Sequence, residues 1–221
     1  MSAHPAANTK ARLVGAATEL FAAHGFHGTK IRDIAARAGV NVAAANYHFG
    51  SKKALYLSVL RERFAVVRAR IARQAALSPR GLGRMPRAAL VELLAARIRI
   101  MFDVMVGPPG LHGQLMLREL SNPSEAFPVV VEEFIEPMVA EMSAIVGSLV
   151  PTLDAERVRR CVASVAGQVQ FYLVAKPAVQ RLFGPNAYSK PWIRDVTDHI
   201  LRFTLGGLGC LPERGRGRDA R

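Results

Sequence analysis

Between residues 29 and 52 the chain reads TKIRDIAARAGVNVAAANYHFGSK, two short helical patterns joined by one glycine, and this spacing leaves little freedom for what the segment folds into. Thr29 is a good N-cap. Ile31, Ile34, Ala35 and Ala38 recur at helical intervals, and Gly39 supplies the left-handed residue that ends a helix and turns the chain. Val40 is the buried apolar residue of the turn, and Asn41 is a natural N-cap for a second helix through Val42, Ala45 and His48. Two short helices around a glycine turn form a helix-turn-helix, whose second helix fits the major groove of DNA. The alanines at 43, 44 and 45 would allow close approach to a base edge or a thymine methyl. Asn46, Tyr47 and His48 carry hydrogen-bonding groups near the helix end. A small helical core with no partner fits the same spacing but leaves the basic charge of the chain unexplained.

Helices are expected on both sides of this unit. Lys10 to His24 carries Leu13, Ala16, Ala17, Leu20 and Phe21 on one stripe, with Gly25 and Phe26 as a stop and its hydrophobic contact. Ser51 is placed to cap a long helix bearing Leu55, Val59, Leu60, Phe64, Val67 and Ile71. The loop SPRGLGRMP at 78–86 ends it.

Over residues 9–60, through LFAAHGFHGTKIRDIAARAGV and NYHFGSKKALY, the chain resembles the TetR-type bacterial transcriptional regulators. It departs from many members at Asn46, where tyrosine is common, and at Tyr47, where a basic or polar residue is common. The run from Asn46 to Lys52 resembles a subgroup that includes CecR-like regulators, and LRELSNPS at 117–124 is similar to a motif of their ligand-binding domain. The resemblance implies that Thr29 and Lys30 touch phosphate and that Val42 to His48 form the recognition helix, with Asn41, Val42, Ala43, Ala44, Asn46, Tyr47 and His48 binding DNA. It also implies that Lys52 grips a phosphate. A helix N-terminus and a lysine both favour phosphate, whereas sequence is read only by side chains that reach base edges.

Composition agrees with a double-stranded DNA partner, since the formal net charge is +13. Part of the excess lies in residues 210–221, a basic, glycine-containing tail without an apolar stripe, read as disordered. There is no unbroken apolar run of spanning length and no signal-peptide core, so no membrane partner and a cytoplasmic location are expected. Cys161 and Cys210 lack paired spacing, and the histidines lack a ligand pattern, so no metal and no cofactor are expected.

With residues 1–52 as a DNA-binding domain, residues 53–209 are long enough for a second helical core. Leu90, Leu94, Ile98, Met101, Phe102 and Met105 form a stripe ended by Gly107-Pro108-Pro109-Gly110, and Leu111 to Leu120 is a short helix. After Asn122-Pro123, the residues Phe127, Val131, Phe134, Met138, Met142, Ile145 and Leu149 run at helical spacing, with a kink expected at Pro137. A kinked helix rich in methionine and phenylalanine would wall an apolar effector cavity lined by Met101, Phe102, Met105, Leu115, Arg118, Phe134, Met138, Met142, Gln168 and Tyr172. Ordinary core packing explains the same residues. His112, Gln114, Glu119 and Gln170 are further polar candidates, and Arg118 and Glu119 have a structural or solvated reading as well.

Val158, Val162, Val165 and Val169 alternate steps of four and three beside small residues, and Ile193, Val196, Ile200 and Phe203 repeat the pattern. In TetR-type proteins the last two helices form a four-helix dimer interface, so the resemblance implies a homodimer through these eight residues. An intrachain core uses the same spacing. Glu132, Glu133 and Glu136 share a helix but lack Glu-x-x-His partners, and no phosphate loop, nucleophile elbow or zinc pattern occurs, which argues against an enzyme. The chain reads as an all-helical, two-domain homodimer that binds a palindromic operator as a repressor and is released by a small, rather apolar effector, with the long helix from Ser51 as lever. The rival is a nucleoid-associated or protein-partnered factor of the same fold without an effector.

Overall fold

Intervals of three and four between apolar residues fold as helices, and among the described residues there is no strand. The structure, a computed structural model, describes residues 5–72, 79–106 and 110–210, leaving aside the side chains of residues 5–7, 66–68, 70–72 and 79–80. The helices are α1 (Pro5–Gly28), α2 (Ile31–Ala38), α3 (Val42–Phe49), α4 (Lys52–Ala72), α5 (Pro79–Leu82), α6 (Arg87–Val106), α7 (Leu111–Ser121), α8 (Phe127–Val130), α9 (Glu136–Leu149), α10 (Ala155–Val174), α11 (Lys176–Phe183) and α12 (Lys190–Gly207). The Val67 and Ile71 side chains, Gly107 to Pro109, and residues 211–221 of the basic tail lie outside the described residues.

The caps follow local chemistry. Gly39 ends α2 in the left-handed region (φ 64°, ψ 38°), and the Asn41 side chain accepts from the Ala44 N–H at 2.7 Å. Ser51 and Asp154 cap α4 and α10 by accepting from the Ala54 and Arg157 N–H groups at 3.1 and 2.8 Å. Two ends differ from expectation. Thr29 does not cap α2. Lys30 holds the cap position without a side-chain bond, while the Thr29 hydroxyl turns inward to the Gly25 and Leu20 carbonyls at 2.8 and 3.1 Å. Those carbonyls need a donor because α1 does not stop at His24. It breaks at Gly25 (φ 71°, ψ 176°) and resumes to Gly28.

At Pro137, where a kink is expected, the helix carries a π turn, Val131–Ile135, just before the proline. Proline has no N–H to give the carbonyl four residues back, and its ring crowds that carbonyl. The wider turn, in which the Glu136 N–H bonds the Val131 carbonyl, accommodates this.

The chain forms two compact units: residues 1–76 with 103–137, and residues 77–102 with 138–221. The packing does not divide the chain at the boundary expected at residue 52: the first unit also takes in α4, the end of α6, α7, α8 and the π turn. In that unit Leu13, Ala17, Phe21, Ile34, Leu55, Tyr56, Val59, Leu60 and Leu115 are buried together, joining α1, α2, α4 and α7. Fully burying a side chain the size of leucine or phenylalanine contributes about 1.5–3 kcal/mol, so this cluster is what holds the short α2 and α3 in place. Tyr56 packs edge-on against Phe21 at 4.7 Å and donates its hydroxyl to the buried Glu119 carboxylate at 2.8 Å.

In the second unit Leu90, Leu94, Ile98 and Phe102 of α6, Met142, Ile145 and Leu149 of α9, the α10 valines and Ile200 of α12 are buried. The buried Arg97 donates to Glu141 at 2.7 Å, tying α6 to α9. Tyr188 adopts a positive φ of 70°, and its hydroxyl bonds the Tyr172 carbonyl at 2.6 Å beneath the Trp192 ring.

Burial, then the charge of Glu119 and the bond to it, hold the Tyr56 phenol above its ordinary range, and burial raises Tyr172 and Tyr188 too. The folded protein keeps these protons where the unfolded chain releases them. Their contribution is therefore complete below about pH 10 and lost as pH rises further. Tyr56→Phe is expected to flatten the alkaline fall of the urea midpoint between about pH 9.5 and 11, with a residual slope from the other two. A slope equal to that of the unaltered protein would contradict the assignment.

Candidate nucleic-acid interface

Helix α3 has one side in the core and one in solvent. Ala45 is buried and Phe49 packs against the core, while Asn41, Val42, Ala43, Asn46 and Tyr47 are exposed and Ala44 and His48 are half-buried. The expectation that Ala45 approaches a base edge is thereby corrected, because its methyl fills the core that fastens α3 to its neighbours. Tyr47 stands 86% exposed, with its ring edge-on to His48 at 5.3 Å. The exposed set of apolar, amide and phenol groups is the kind that reads base edges in a major groove.

The phosphate contacts implied by the family resemblance fare differently. Lys30 is exposed at the start of α2, where the free N–H groups of a helix terminus add to its charge. Thr29 is 2% exposed with its hydroxyl spent on α1, so no side chain at that position reaches outward. Lys52 does not project freely. Its ammonium donates to the Phe26 and Thr29 carbonyls at 2.9 and 3.2 Å and lies 4.2 Å above the Phe26 ring, which makes it a brace for the corner entering α2. Arg12 plays a matching part that sequence reading did not single out: it donates to the Gly39 carbonyl at 3.0 Å and holds the turn. Only its basic charge near the motif signalled it.

The expected effector-site residues fall into both units. Met105, Leu115, Arg118 and Phe134 belong to the first, where Leu115 and Phe134 are core and the exposed Arg118 donates to the Ala23 carbonyl. Met101, Phe102, Met138, Met142, Gln168 and Tyr172 belong to the second. There Phe102 lies 5.5 Å from Tyr172, and the Gln168 amide is turned along its own helix to the Ser164 carbonyl at 3.4 Å. Glu119 is 1% exposed and structural, accepting from Tyr56 and from the Ser124 N–H at 3.3 Å. His112 bonds the Arg63 carbonyl at 2.6 Å. Glu133 is clasped by Arg61, while Glu132 and Glu136 are exposed. Among the described residues no His, Cys, Asp and Glu groups are placed to hold a metal ion, and no helix is long and apolar enough to cross a membrane.

The expected dimer seam also needs correction. Val158, Val162, Val165, Val169 and Ile200 are buried within the chain, Ile193 and Val196 are half-buried, and only Phe203 of the eight is exposed. The valine stripe faces the chain's own core. The large apolar side chains exposed on the last three helices are Phe171 and Val174 on α10, Leu182 and Phe183 on α11, and Phe203 on α12.

The model described as bacterial regulatory proteins, tetR family, matches residues 13–59, and the one described as HTH-type transcriptional dual regulator CecR, C-terminal domain, matches residues 90–208. The chain belongs to the TetR family. Its C-terminal part is of the CecR type, as the LRELSNPS resemblance implied. The chain is 29% identical to the HTH-type transcriptional dual regulator CecR of Shigella flexneri over 142 residues, 63% of each chain, which is just under two thirds of that relative's length. It is 24% identical to the HTH-type transcriptional regulator RutR of Escherichia coli K12 over 211 residues, 90% of each. The crystal structure of the transcriptional regulator FadR from Bacillus subtilis in complex with stearoyl-CoA has the same fold. Its TM-score is 0.66 at 17% identity, covering 89% of this chain and 98% of that one.

Two substitutions probe the turn of this TetR-family motif. Asn41→Ala removes the cap of α3 and is expected to cost about 1 kcal/mol, whereas Asn41→Asp retains most of it. Gly39→Ala forces a methyl into the left-handed region, with its carbon 2.5 Å from the Arg12 guanidinium, and is expected to cost about 1–2 kcal/mol. Urea unfolding reads both, and equal midpoints for the alanine and aspartate variants at 41 would refute the capping role.

Proposed function

We propose that the chain is a dimeric transcriptional repressor that binds an inverted-repeat operator through two copies of α3 and is released by a small, largely apolar molecule held in its C-terminal domain. The observation that carries this is Tyr47. A phenol ring left almost wholly in water, on the outer face of a helix whose inner face is locked into a core, gains only when a partner covers it. Val42, Ala43 and Asn46 extend the same face, and Lys30 supplies a phosphate contact beside it. One eight-residue helix reads few base pairs, so specificity calls for a second copy and a second half-site.

The exposed large apolar side chains Phe171, Val174, Leu182, Phe183 and Phe203 on α10, α11 and α12 support that second copy, because apolar surface left in water favours a covering partner. The stearoyl-CoA held by the FadR structure supports a small-molecule effector here, as do the adaptable side chains of Met101, Met138 and Met142 in the second unit. The reading without an effector has no comparable support. Release follows if the effector prefers the dimer geometry whose α3 spacing does not fit the operator, to the extent of that preference.

Binding-site selection with the full chain at near-physiological salt should return an inverted repeat, and enrichment without a repeat would overturn the operator reading. On that operator Tyr47→Ala is expected to lose about tenfold or more while random DNA is bound as before, and Lys30→Ala to weaken both alike and lower the salt slope by about one. Equal losses on both DNAs for Tyr47→Ala would remove it from base readout. Phe203→Glu should give a monomer in sedimentation at micromolar concentration, and an intact dimer would move the interface elsewhere.

A further inference from the structure

Helix α7 belongs by sequence to the C-terminal family domain, residues 90–208, yet it packs with α1 and α4 in the first unit. The contact between the two family-defined parts of the chain is therefore visible within one packed unit, where Leu115 and Met116 supply buried apolar surface and the LRELSNPS segment beside them supplies polar bonds. Arg118 donates to the Ala23 carbonyl, and the His27 ring donates to the Pro123 carbonyl at 3.3 Å. Between these, Glu119 is buried. One of its oxygens accepts the Tyr56 hydroxyl at 2.8 Å and the other accepts the Ser124 N–H at 3.3 Å. Tyr56 in turn is wedged against Phe21 and Phe26, at 4.7 and 5.2 Å, and Lys52 on the previous turn of α4 holds the Phe26 and Thr29 carbonyls. The Arg118, His27 and Lys52 bonds and the Phe26 ring contact meet on the stretch from Ala23 to Thr29 that feeds the helix-turn-helix, and Glu119 reaches it through Tyr56.

Adhesion alone would be served as well by a leucine or methionine at 119, because taking a carboxylate out of water is costly even when it is hydrogen-bonded. What a carboxylate adds is direction, since both oxygens are committed to fixed donors on different elements. We propose that Glu119 is the positioning residue through which the C-terminal domain sets the orientation of the helix-turn-helix, and with it the half-site spacing that the dimer accepts. This rests on the operator reading above.

The test uses the full chain and the selected operator, together with versions whose spacer is longer or shorter by one base pair and a random duplex. Active protein is counted by stoichiometric titration. The unaltered protein should prefer its own spacer sharply. Tyr56→Phe deletes one oxygen and keeps the ring packing. It is expected to weaken the parent operator about tenfold, leave random DNA unchanged, and narrow the difference between spacers to about twofold. Glu119→Gln should do the same, since an amide cannot accept from both donors with both heads, and adding it to Tyr56→Phe should cost little more. Equal weakening on every spacer and on random DNA would mean that the pair only stabilises the fold, and the proposal falls. It also falls if the two losses simply add. A native protein without spacer preference would overturn the operator reading instead, and the two failures are distinguished by whether the unaltered protein discriminates.

Discussion

A helix that ends inside a packed unit leaves carbonyls without partners, and the first unit is organised around meeting that need at the end of α1. The Leu20 and Gly25 carbonyls receive the Thr29 hydroxyl, Ala23 receives Arg118, and Phe26 and Thr29 receive Lys52. The donors come from three parts of the chain far apart in sequence. Donors from α4 and α7 thus join the local Thr29 hydroxyl around the break at Gly25, and together they set the path of the chain into α2. Everything that presents α3 to solvent lies downstream of this corner.

Local chemistry was legible in the sequence because it acts over a few residues. Gly39, Asn41, Ser51 and Asp154 do what their side chains and spacing dictate, and the stripes on α1, α4 and α6 are core. The misreadings share a cause, which is that they concern the direction a side chain faces or the partner it finds at long range. Thr29 has the composition of a cap, but the carbonyls of a helix broken four residues behind it made the stronger demand. The α10 valines have the spacing of a seam, and spacing cannot tell a chain's own core from that of a second copy. Pro137 announced a disturbance without saying that it would take the form of a wide turn before it. Glu119 sat in a recognised motif, yet its partner Tyr56 is 63 residues away.

The basic side chains near the motif are anchored in a way that preserves their charge. Arg12 and Lys52 bond backbone carbonyls, and Lys52 also lies on an aromatic face, so neither has its charge cancelled by these contacts. Exposed ion pairs such as Arg37 with Glu19 contribute about 0–1 kcal/mol and are screened by salt, so they add little rigidity. Positioning cations on carbonyls gives order without losing the positive field that attracts a duplex.

The path of the chain through its two units limits how freely the DNA-binding part can be exchanged. The first unit takes residues 1–76, the second takes 77–102, and the chain then returns for 103–137 before leaving again. A graft made at residue 52 would part Phe21 and Phe26 from Tyr56, and one made at the end of α4 would carry all three away from the α7 segment against which they are built. Within this architecture the heritable module for DNA recognition includes a helix that sequence assigns to the other domain. Recombination among relatives would have to move α7 with the motif, or alter positions 56 and 119 together.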